Sequence, residues 1–244
     1  LTWTAALLAL ACVQVSSTEH AVCCNIRMSA AGKMYFVCVE VLPSKEGIDL
    51  PRFLQKINGL LEDYSTATHV IYKFKVTGES KVLAVVQVSN ILGFERTIGG
   101  LWRLGNVSVT SVPIVGYESF AQNLGVDASI ISNPPRPLPK ENLYYWSFDF
   151  GYTGKTLEEF LSTWKREAEF VMAARTNDGF PVELFKVVSE RKVHCFLQVA
   201  DPAQLDQLSF QLPIMRENGH NVDLQCRAVQ YLPEYCTRIF NESL

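Results

Sequence analysis

The pattern of apolar and polar positions repeats along the chain. Short alternating runs rich in β-branched and aromatic residues predict strands, and apolar residues spaced three and four apart predict amphipathic helices. In both halves the predicted elements follow in the order βαββαβ. The predicted strands are 35–41, 69–76, 81–89 and a run from Val107, and then 144–150, 182–188, 192–200 and a run from Val222.

Residues with capping side chains precede the predicted helices. In the first half Asp49 precedes an apolar stripe that begins at Leu50, and in the second half Thr156-Leu-Glu-Glu159 matches a capping box. The second helix of each half begins at Asn90 and at Asp201-Pro202, where an Asx side chain can cap and proline fits the first turn.

A gap-free internal match supports the repeat. Residues 74–90 lie over residues 185–201 with eight of 17 positions identical. A βαββαβ unit is the ferredoxin-like motif, in which an antiparallel sheet of order 4-1-3-2 carries both helices on one face. The sequence therefore predicts an α+β protein with two tandem ferredoxin-like domains.

The predicted domain plan has six segments. A stiff linker is expected where residues 132–140 hold four of the chain's 11 prolines. The plan is a signal peptide at 1–17, an N-terminal arm at 18–32, a first ferredoxin-like domain at 33–124, a proline-rich linker at 125–141, a second ferredoxin-like domain at 142–234 and a C-terminal tail at 235–244.

Composition and the N-terminal segment indicate the compartment. The chain has 244 residues and a net charge of −3, so it has no surplus of cations for nucleic acid. Residues 1–15 are apolar but too short to span a bilayer, and they predict a secretory signal, with a buried N-terminal helix as the alternative. No other run suggests a membrane span, and we expect a secreted, extracellular protein that could form homo-oligomers.

Cysteines and sequons agree with export. Removal of the signal leaves an even number of cysteines, which in an oxidising compartment suggests disulfides, with an N-terminal arm stapled to the C-terminal tail. The disulfide candidates are Cys23, Cys24, Cys38, Cys195, Cys226 and Cys236, and the candidate glycosylation sites are Asn106 and Asn241. The histidines are scattered and no Cys-x-x-Cys occurs, so we expect no metal site. The sequence contains neither a phosphate loop nor a Gly-x-Gly-x-x-Gly, so we expect no cofactor.

One stretch resembles a known family. Residues 196–214, with their Leu212-Pro-Ile214 ending, and the following strand from Val222 to Cys226 are similar to the muconolactone isomerase-like branch of the dimeric α+β barrels. The resemblance implies that two sheets pack face to face, and a tandem repeat could build that barrel within one chain. It also implies activity on small lactones.

Strand alternation separates the two faces of each predicted sheet. The face toward the helices is apolar, with Val82, Ala84, Val86 and Val88 in one half and Val193, Cys195, Leu197 and Val199 in the other. On the first strand of each half it carries Tyr35, Val37, Val39 and Val41, and Tyr144, Trp146, Phe148 and Phe150. Lys73, Lys75, Lys186 and Lys192 are expected on a solvated sheet edge.

The opposite face gathers polar and aromatic side chains that an inward-facing sheet would enclose. The predicted catalytic residues are His194, Asp149, Glu40 and Arg227, and the predicted ligand-binding residues are Phe36, Gln87, Tyr145, Ser147, Phe196, Gln198 and Gln225. An enclosed imidazole or carboxylate could shift its pKa and transfer protons. A half-solvated sheet alternates in the same way without any site.

Three functions follow from this face. The favoured one is a secreted protein that binds a small, largely apolar or weakly anionic ligand between the sheets. The second is an isomerase or lyase in which His194 and Asp149 or Glu40 transfer protons while Arg227 holds an anionic group. The third is a structural or signalling protein with a vestigial cavity.

Overall fold

Eight antiparallel strands close into one barrel in the computed structural model, which describes residues 32–63, 65–131 and 137–241. The strands follow one another around the barrel in the order β1-β3-β2-β8-β5-β7-β6-β4. They are β1 (Lys33–Val41), β2 (Thr68–Val76), β3 (Lys81–Val88), β4 (Val107–Gly116), β5 (Leu143–Phe150), β6 (Val182–Val187), β7 (Lys192–Gln198) and β8 (Val222–Tyr231).

Helices connect the strands and cover the outside of the barrel. They are α1 (Leu50–Glu62), α2 (Ile91–Trp102), α3 (Tyr117–Asn123), α4 (Ala128–Ile131), α5 (Leu157–Asn177), α6 (Ala203–Gln211), α7 (Pro213–Asn218) and α8 (Leu232–Asn241). The predicted caps of α1, α2 and α5 are confirmed, whereas the residue that precedes α6 is Pro202, which makes no side-chain cap. Asn90 Oδ1 accepts from Leu92 N at 2.9 Å, and Thr156 and Glu159 form both hydrogen bonds of a capping box.

The two halves of the chain have the same strand order. In the first half the order is β4-β1-β3-β2, and in the second half it is β8-β5-β7-β6, which is the order expected from the βαββαβ succession of elements. Two short junctions join the halves. Residues 74–76 pair with 229–231, and residues 114–116 pair with 185–187. The strands of the two halves therefore form the continuous wall of one closed barrel.

Three apolar clusters fill the described part of the chain. Two of them lie between the sheet and the helices, one in each half, and they contain the strand residues predicted to face the helices. The third lies inside the barrel and includes Phe36, Phe74, Tyr145, Phe185 and Phe196. Much of the barrel interior is thus packed with aromatic and aliphatic side chains.

Each half sends one helix over the other half. Tyr117 and Ala121 of α3 belong to the cluster of the second half, whereas Leu232 and Cys236 of α8 belong to the cluster of the first. The sequence predicted only a tail from residue 235. The helix α8 escaped prediction because the surface that its apolar side covers belongs to the distant half of the chain.

The solvated lysine edge is wrong for three of its four members. Lys73, Lys75 and Lys186 are buried. Lys73 pairs with Glu62 of α1, and the other two donate to backbone carbonyls of the hairpin turns that follow them. Each buried ammonium group retains polar partners, although burial lowers the pKa of Lys75 and of Lys186.

The disulfide prediction is also wrong where the structure describes it. Cys38, Cys195, Cys226 and Cys236 are free thiols. The predicted signal peptide, Cys23 and Cys24 lie outside the described residues, and nothing observed supports secretion or glycosylation at Asn106 or Asn241. Among the described helices none is both long and apolar enough to cross a membrane.

Candidate functional site

One end of the barrel opens into a cavity of about 310 Å³. Strands from both halves and two hairpin turns surround it, so that it exists only because the barrel is closed. Its lining residues are Phe36, Cys38, Val76, Glu79, Lys81, Leu83, Thr110, Val112, Tyr145, Ser147, Glu190, Lys192, His194, Gln225 and Arg227.

A hydrogen-bonded pair, Tyr145 and His194, lies on the wall of this cavity. Tyr145 Oη and His194 Nδ1 are 2.7 Å apart, and the His194 ring stacks on Phe36 with 3.8 Å between ring centroids. Neighbouring strands place the pair, because Tyr145 on β5 and His194 on β7 occupy inward-facing positions two residues apart in register.

The surroundings hold both groups of this pair neutral. Burial and the charge of Lys192 lower the pKa of His194 to about 3, against the opposing effect of Asp149. Burial also raises the pKa of Tyr145 above its ordinary value, although a hydrogen bond with Ser147 opposes the shift. At neutral pH the cavity therefore contains an uncharged imidazole and an uncharged phenol.

Charged side chains form the rim of the cavity. Glu79 accepts from Lys81 at 3.0 Å and from Arg227 Nε at 2.5 Å, which links the first hairpin turn to β8. Burial raises the pKa of Glu79, but the two cationic donors outweigh it and hold the pKa below its usual value. On the other side Lys192 donates to Asp149 at 2.7 Å.

The rim and the wall follow the internal repeat, but the polar chemistry is concentrated on one side. Equivalent positions in the two halves hold Glu79 and Glu190, and Lys81 and Lys192. The wall breaks this symmetry, since the second half places Tyr145, Ser147 and His194 where the first half places Phe36, Cys38 and Leu83. The hydrogen-bonded tyrosine and histidine therefore lie only on the second-half wall, whereas the first half contributes Glu79 and Lys81 to the rim.

The structure brings six of the predicted site residues into the cavity. They are Phe36, Tyr145, Ser147, His194, Gln225 and Arg227. Ser147 lies opposite His194 in the sheet, and Arg227 lies opposite Tyr145.

The other five predicted residues do not line the cavity. Phe196 is buried deeper and packs against Tyr145, and Gln87 and Gln198 lie toward the opposite end of their strands. Glu40 and Asp149 are exposed, and Asp149 reaches the site only through its ion pair with Lys192. Alternation fixes the face on which a residue lies, but not its height along the barrel.

Sequence reasoning missed the hairpin residues of the rim. Glu79, Lys81, Glu190 and Lys192 belong to the eight identities of the internal match, in a Glu-x-Lys that recurs at both turns. A charged pair retained at equivalent turns of a barrel would have pointed to the rim. Among the described residues no cluster of His, Cys, Asp and Glu is placed to hold a metal ion.

Comparison with known proteins gives structural relatives only. No protein-family model matches the chain, and no curated protein matches its sequence. A mutant chlorite dismutase from Candidatus Nitrospira defluvii has a TM-score of 0.51 at 12% identity, covering 85% of this chain and 95% of that chain.

Two further structures give the same result. The chlorite dismutase of that organism in complex with imidazole has a TM-score of 0.52 at 12% identity, covering 84% of this chain and 94% of that chain. A second chlorite dismutase-like protein, TA0507, has a TM-score of 0.50 at 10% identity, covering 84% and 98%. At these identities the likeness shows the fold alone, which is a chlorite dismutase-like α+β barrel.

These findings correct two expectations. The resemblance to muconolactone isomerase is wrong, since the neighbours are chlorite dismutase-like proteins with a closed barrel of eight strands in a single chain. The secreted carrier of a largely apolar ligand is also wrong. The physical reason is that side chains already fill the apolar part of the barrel, and the remaining space has a charged rim.

Proposed function

We propose that the protein is an enzyme that binds a small anionic substrate at the barrel mouth and transfers a proton on it, in lyase-type chemistry. The observation that carries this proposal is the buried Tyr145–His194 pair on the wall of a cavity rimmed by Lys81, Lys192 and Arg227. The cavity volume lies at the lower end of the range for ligand sites, about 300 to 1,000 Å³, so the substrate is small.

The rim can bind an anion through donors that its ion pairs leave unused, since Asp149, which pairs with Lys192, balances the charge of the three lining cations against Glu79 and Glu190. Arg227 and Lys81 share the carboxylate of Glu79, so each keeps donors for a second acceptor. A substrate carboxylate could take up those donors while the rest of the molecule extends toward His194.

The pair can act on a proton when the imidazole carries hydrogen on Nδ1. In that tautomer Nδ1–H donates to Tyr145 Oη, and the lone pair of Nε2 is free to accept a proton. At rest His194 is a weak base. A bound anion opposes the charge of Lys192, raises the pKa of the imidazole and makes His194 a better base when substrate is present.

Likeness to chlorite dismutase-like proteins would suggest a haem enzyme, but the slot between the sheet and the helices of the second half does not fit haem. Haem iron is held by histidine, cysteine thiolate, methionine or tyrosinate. The slot between sheet and helices in the second half measures only about 220 Å³ and no histidine lines it. Its Cys195 is buried, which raises the pKa of the thiol and keeps it protonated. No step of the proposed reaction passes through a haem.

We also infer that the two halves are copies of one ferredoxin-like unit, with the domains 33–124 and 142–234 as its two forms. The shared strand order and the identities at equivalent hairpins support this. On this view the first half keeps a mostly apolar wall, and the second half acquired the hydrogen-bonded tyrosine and histidine.

The test uses two substitutions that the repeat itself suggests. His194→Leu and Tyr145→Phe place in the second half the side chains that the first half already has at Leu83 and Phe36, so both variants should fold. Small carboxylates such as malate and lactate are incubated with each protein in D₂O, and exchange of carbon-bound hydrogen is followed by proton NMR. We expect exchange in the wild type and at least a roughly hundredfold loss in both variants.

A matched control separates the site from general charge effects. Arg227→Gln should weaken carboxylate binding, whereas Arg216→Gln, at an exposed position of α7, should leave exchange unchanged. Exchange that survives in both wall variants would contradict the proposed roles of Tyr145 and His194.

A further inference from the structure

The first-half wall of the mouth cavity carries a thiol that the proposed function does not use. Cys38 lies on β1, which is four strands away from β5 in either direction around the closed barrel, so the two strands face each other across the interior. Cys38 occupies the position in the first half that Ser147 occupies in the second, and both residues line the cavity. The cavity therefore lies between them.

This thiol is free and has access to the cavity. Cys38 is partly exposed, and within the described part of the chain it forms neither a disulfide nor a hydrogen bond. The three other described free cysteines, Cys195, Cys226 and Cys236, do not line the cavity. Cys38 is thus the described cysteine that a molecule bound at the barrel mouth would touch.

A buried nitrogen without a partner lines the same space. His194 is 4% exposed, and Tyr145 Oη is hydrogen-bonded to its Nδ1. The other ring nitrogen, Nε2, has no hydrogen-bond partner among the described residues. A side chain buried to this extent normally has its polar atoms paired, so the free nitrogen indicates a polar atom of a ligand in the cavity.

The thiol and the imidazole rest in complementary protonation states. Burial raises the pKa of the Cys38 thiol, and the opposing charge of Lys81 does not cancel the shift. At neutral pH the thiol therefore keeps its proton, whereas the neutral His194 can accept one. Lys81 stabilises the thiolate once the proton has been given away. One side of the cavity can thus remove a proton while the other side supplies one.

We propose that Cys38 is the general acid opposite His194 and that the substrates are β-hydroxy carboxylates, which lose water in this cavity. The inference rests on the proposed function, since it assigns the second proton of the same reaction. Hydroxide is a poor leaving group unless it receives a proton as it departs, and an acid that faces the base can supply that proton.

The proposed elimination uses both sides of the cavity. His194 Nε2 takes the hydrogen from the carbon next to the substrate carboxylate, and a double bond forms to the neighbouring carbon as its C–O bond breaks. Cys38 Sγ gives its proton to the departing hydroxyl, which leaves as water. The imidazolium then loses its proton to solvent, and the thiolate regains one from solvent.

Two substrates that give the same product separate an acid from a structural residue. Malate loses water and chlorosuccinate loses chloride, and both yield fumarate, but only hydroxide needs a proton to leave. Fumarate formation is followed by ultraviolet absorbance. Cys38→Ser should lose at least roughly a hundredfold in rate with malate and stay near the wild-type rate with chlorosuccinate. His194→Leu should lose activity with both, because either reaction needs the base.

The repeat and the remaining cysteines supply the controls. Cys38→Ser should fold, because the second half already has Ser147 at the equivalent position. Cys226→Ser replaces an exposed cysteine of β8 that does not line the cavity, and both rates should stay unchanged. Exchange of carbon-bound hydrogen of malate in D₂O should survive in Cys38→Ser, since His194 still removes the proton.

The outcomes distinguish this inference from the proposed function. If the wild type exchanges hydrogen but forms no fumarate from malate, Cys38 is not a general acid for loss of water. The same conclusion follows if Cys38→Ser slows exchange and fumarate formation alike, or slows malate and chlorosuccinate alike. A wild type that neither exchanges hydrogen nor eliminates contradicts the proposed function, and this inference with it.

Discussion

His194 is a neutral imidazole enclosed by a phenol, a phenyl ring and the barrel wall. Tyr145 Oη is hydrogen-bonded to its Nδ1, and the ring of Phe36 covers one face of the imidazole. Charging the ring would place a cation in this apolar setting beside Lys192, which is why its pKa lies near 3. Sequence alternation placed this residue on the inner face, but the apolar surroundings that hold it neutral come from both halves.

Acid stability should therefore depend on His194. The unfolded chain has a histidine of ordinary pKa, near 6.5, whereas the folded pKa is about 3. The unfolded state binds more protons between these values, so stability falls as the pH falls below 6.5 toward 3. Protonation of His194 in the unfolded state should by itself lower the free energy of unfolding by roughly 3 kcal/mol at pH 4.

Urea unfolding at pH 7 and pH 4 measures this cost. His194→Leu should reduce the difference in unfolding free energy between the two pH values by about that amount. Tyr145→Phe, which leaves the imidazole in place, should keep a large part of the difference. An unchanged difference in the leucine variant would show that other groups dominate acid unfolding.

At the scale of elements, a buried lysine caps each of the two equivalent hairpins. Lys75 Nζ donates to the carbonyls of Val76 and Glu79, and Lys186 Nζ donates to those of Val187 and Glu190. In both turns a lysine ammonium group therefore donates the hydrogen bonds that the carbonyls need. The sequence match showed that both lysines recur, but the expectation of a solvated edge assigned them the wrong environment.

Replacing either lysine should destabilise the protein to a similar extent. Lys75→Met or Lys186→Met keeps the aliphatic length but leaves the turn carbonyls without their donor, at about 1 to 3 kcal/mol. Chemical unfolding measures the loss, and Lys33→Met, on the exposed start of β1, should change stability by less than about 0.5 kcal/mol. If all three variants were equally stable, the proposed role of Lys75 and Lys186 in capping the hairpin carbonyls would be wrong.

Local sequence signals predicted most elements but not all of them. Asn90 and Thr156 sit at true helix starts because capping is decided by a side chain and the backbone a few residues away. The helices α3 and α8 were not predicted as elements. The apolar residues Tyr117 and Leu232 gain their burial from the opposite half, which no local pattern reports.

At the scale of the whole molecule, the halves are joined by two short strand junctions and by the exchange of α3 and α8. Each junction pairs only three residues of one half with three of the other. The exchanged helices add apolar packing, since Tyr117 is 2% exposed and Leu232 is fully buried. Closure of the barrel and burial of these helices therefore stabilise the same arrangement.

A substitution in one half should weaken the other. Leu232→Ala removes a side chain that follows β8 but packs in the first-half cluster, and we expect a loss of about 2 to 5 kcal/mol. Hydrogen exchange should show lower protection in β1 and β3 as well as in β8. Loss of protection confined to the second half would contradict coupling through the exchanged helix.

The sequence by itself determined the order of the strands and of the helices of the βαββαβ repeat, the strand order within each half and the face on which each strand residue lies. These follow from periodicity, capping and an internal match, all of which act over short distances. Only the tertiary structure decided which end of the barrel stays open, that Gln87 and Gln198 lie away from the cavity, and that Glu79 links to Arg227. Those outcomes depend on how far the strands of one half are staggered against the other, and stagger is set by long-range packing rather than by any local run of residues.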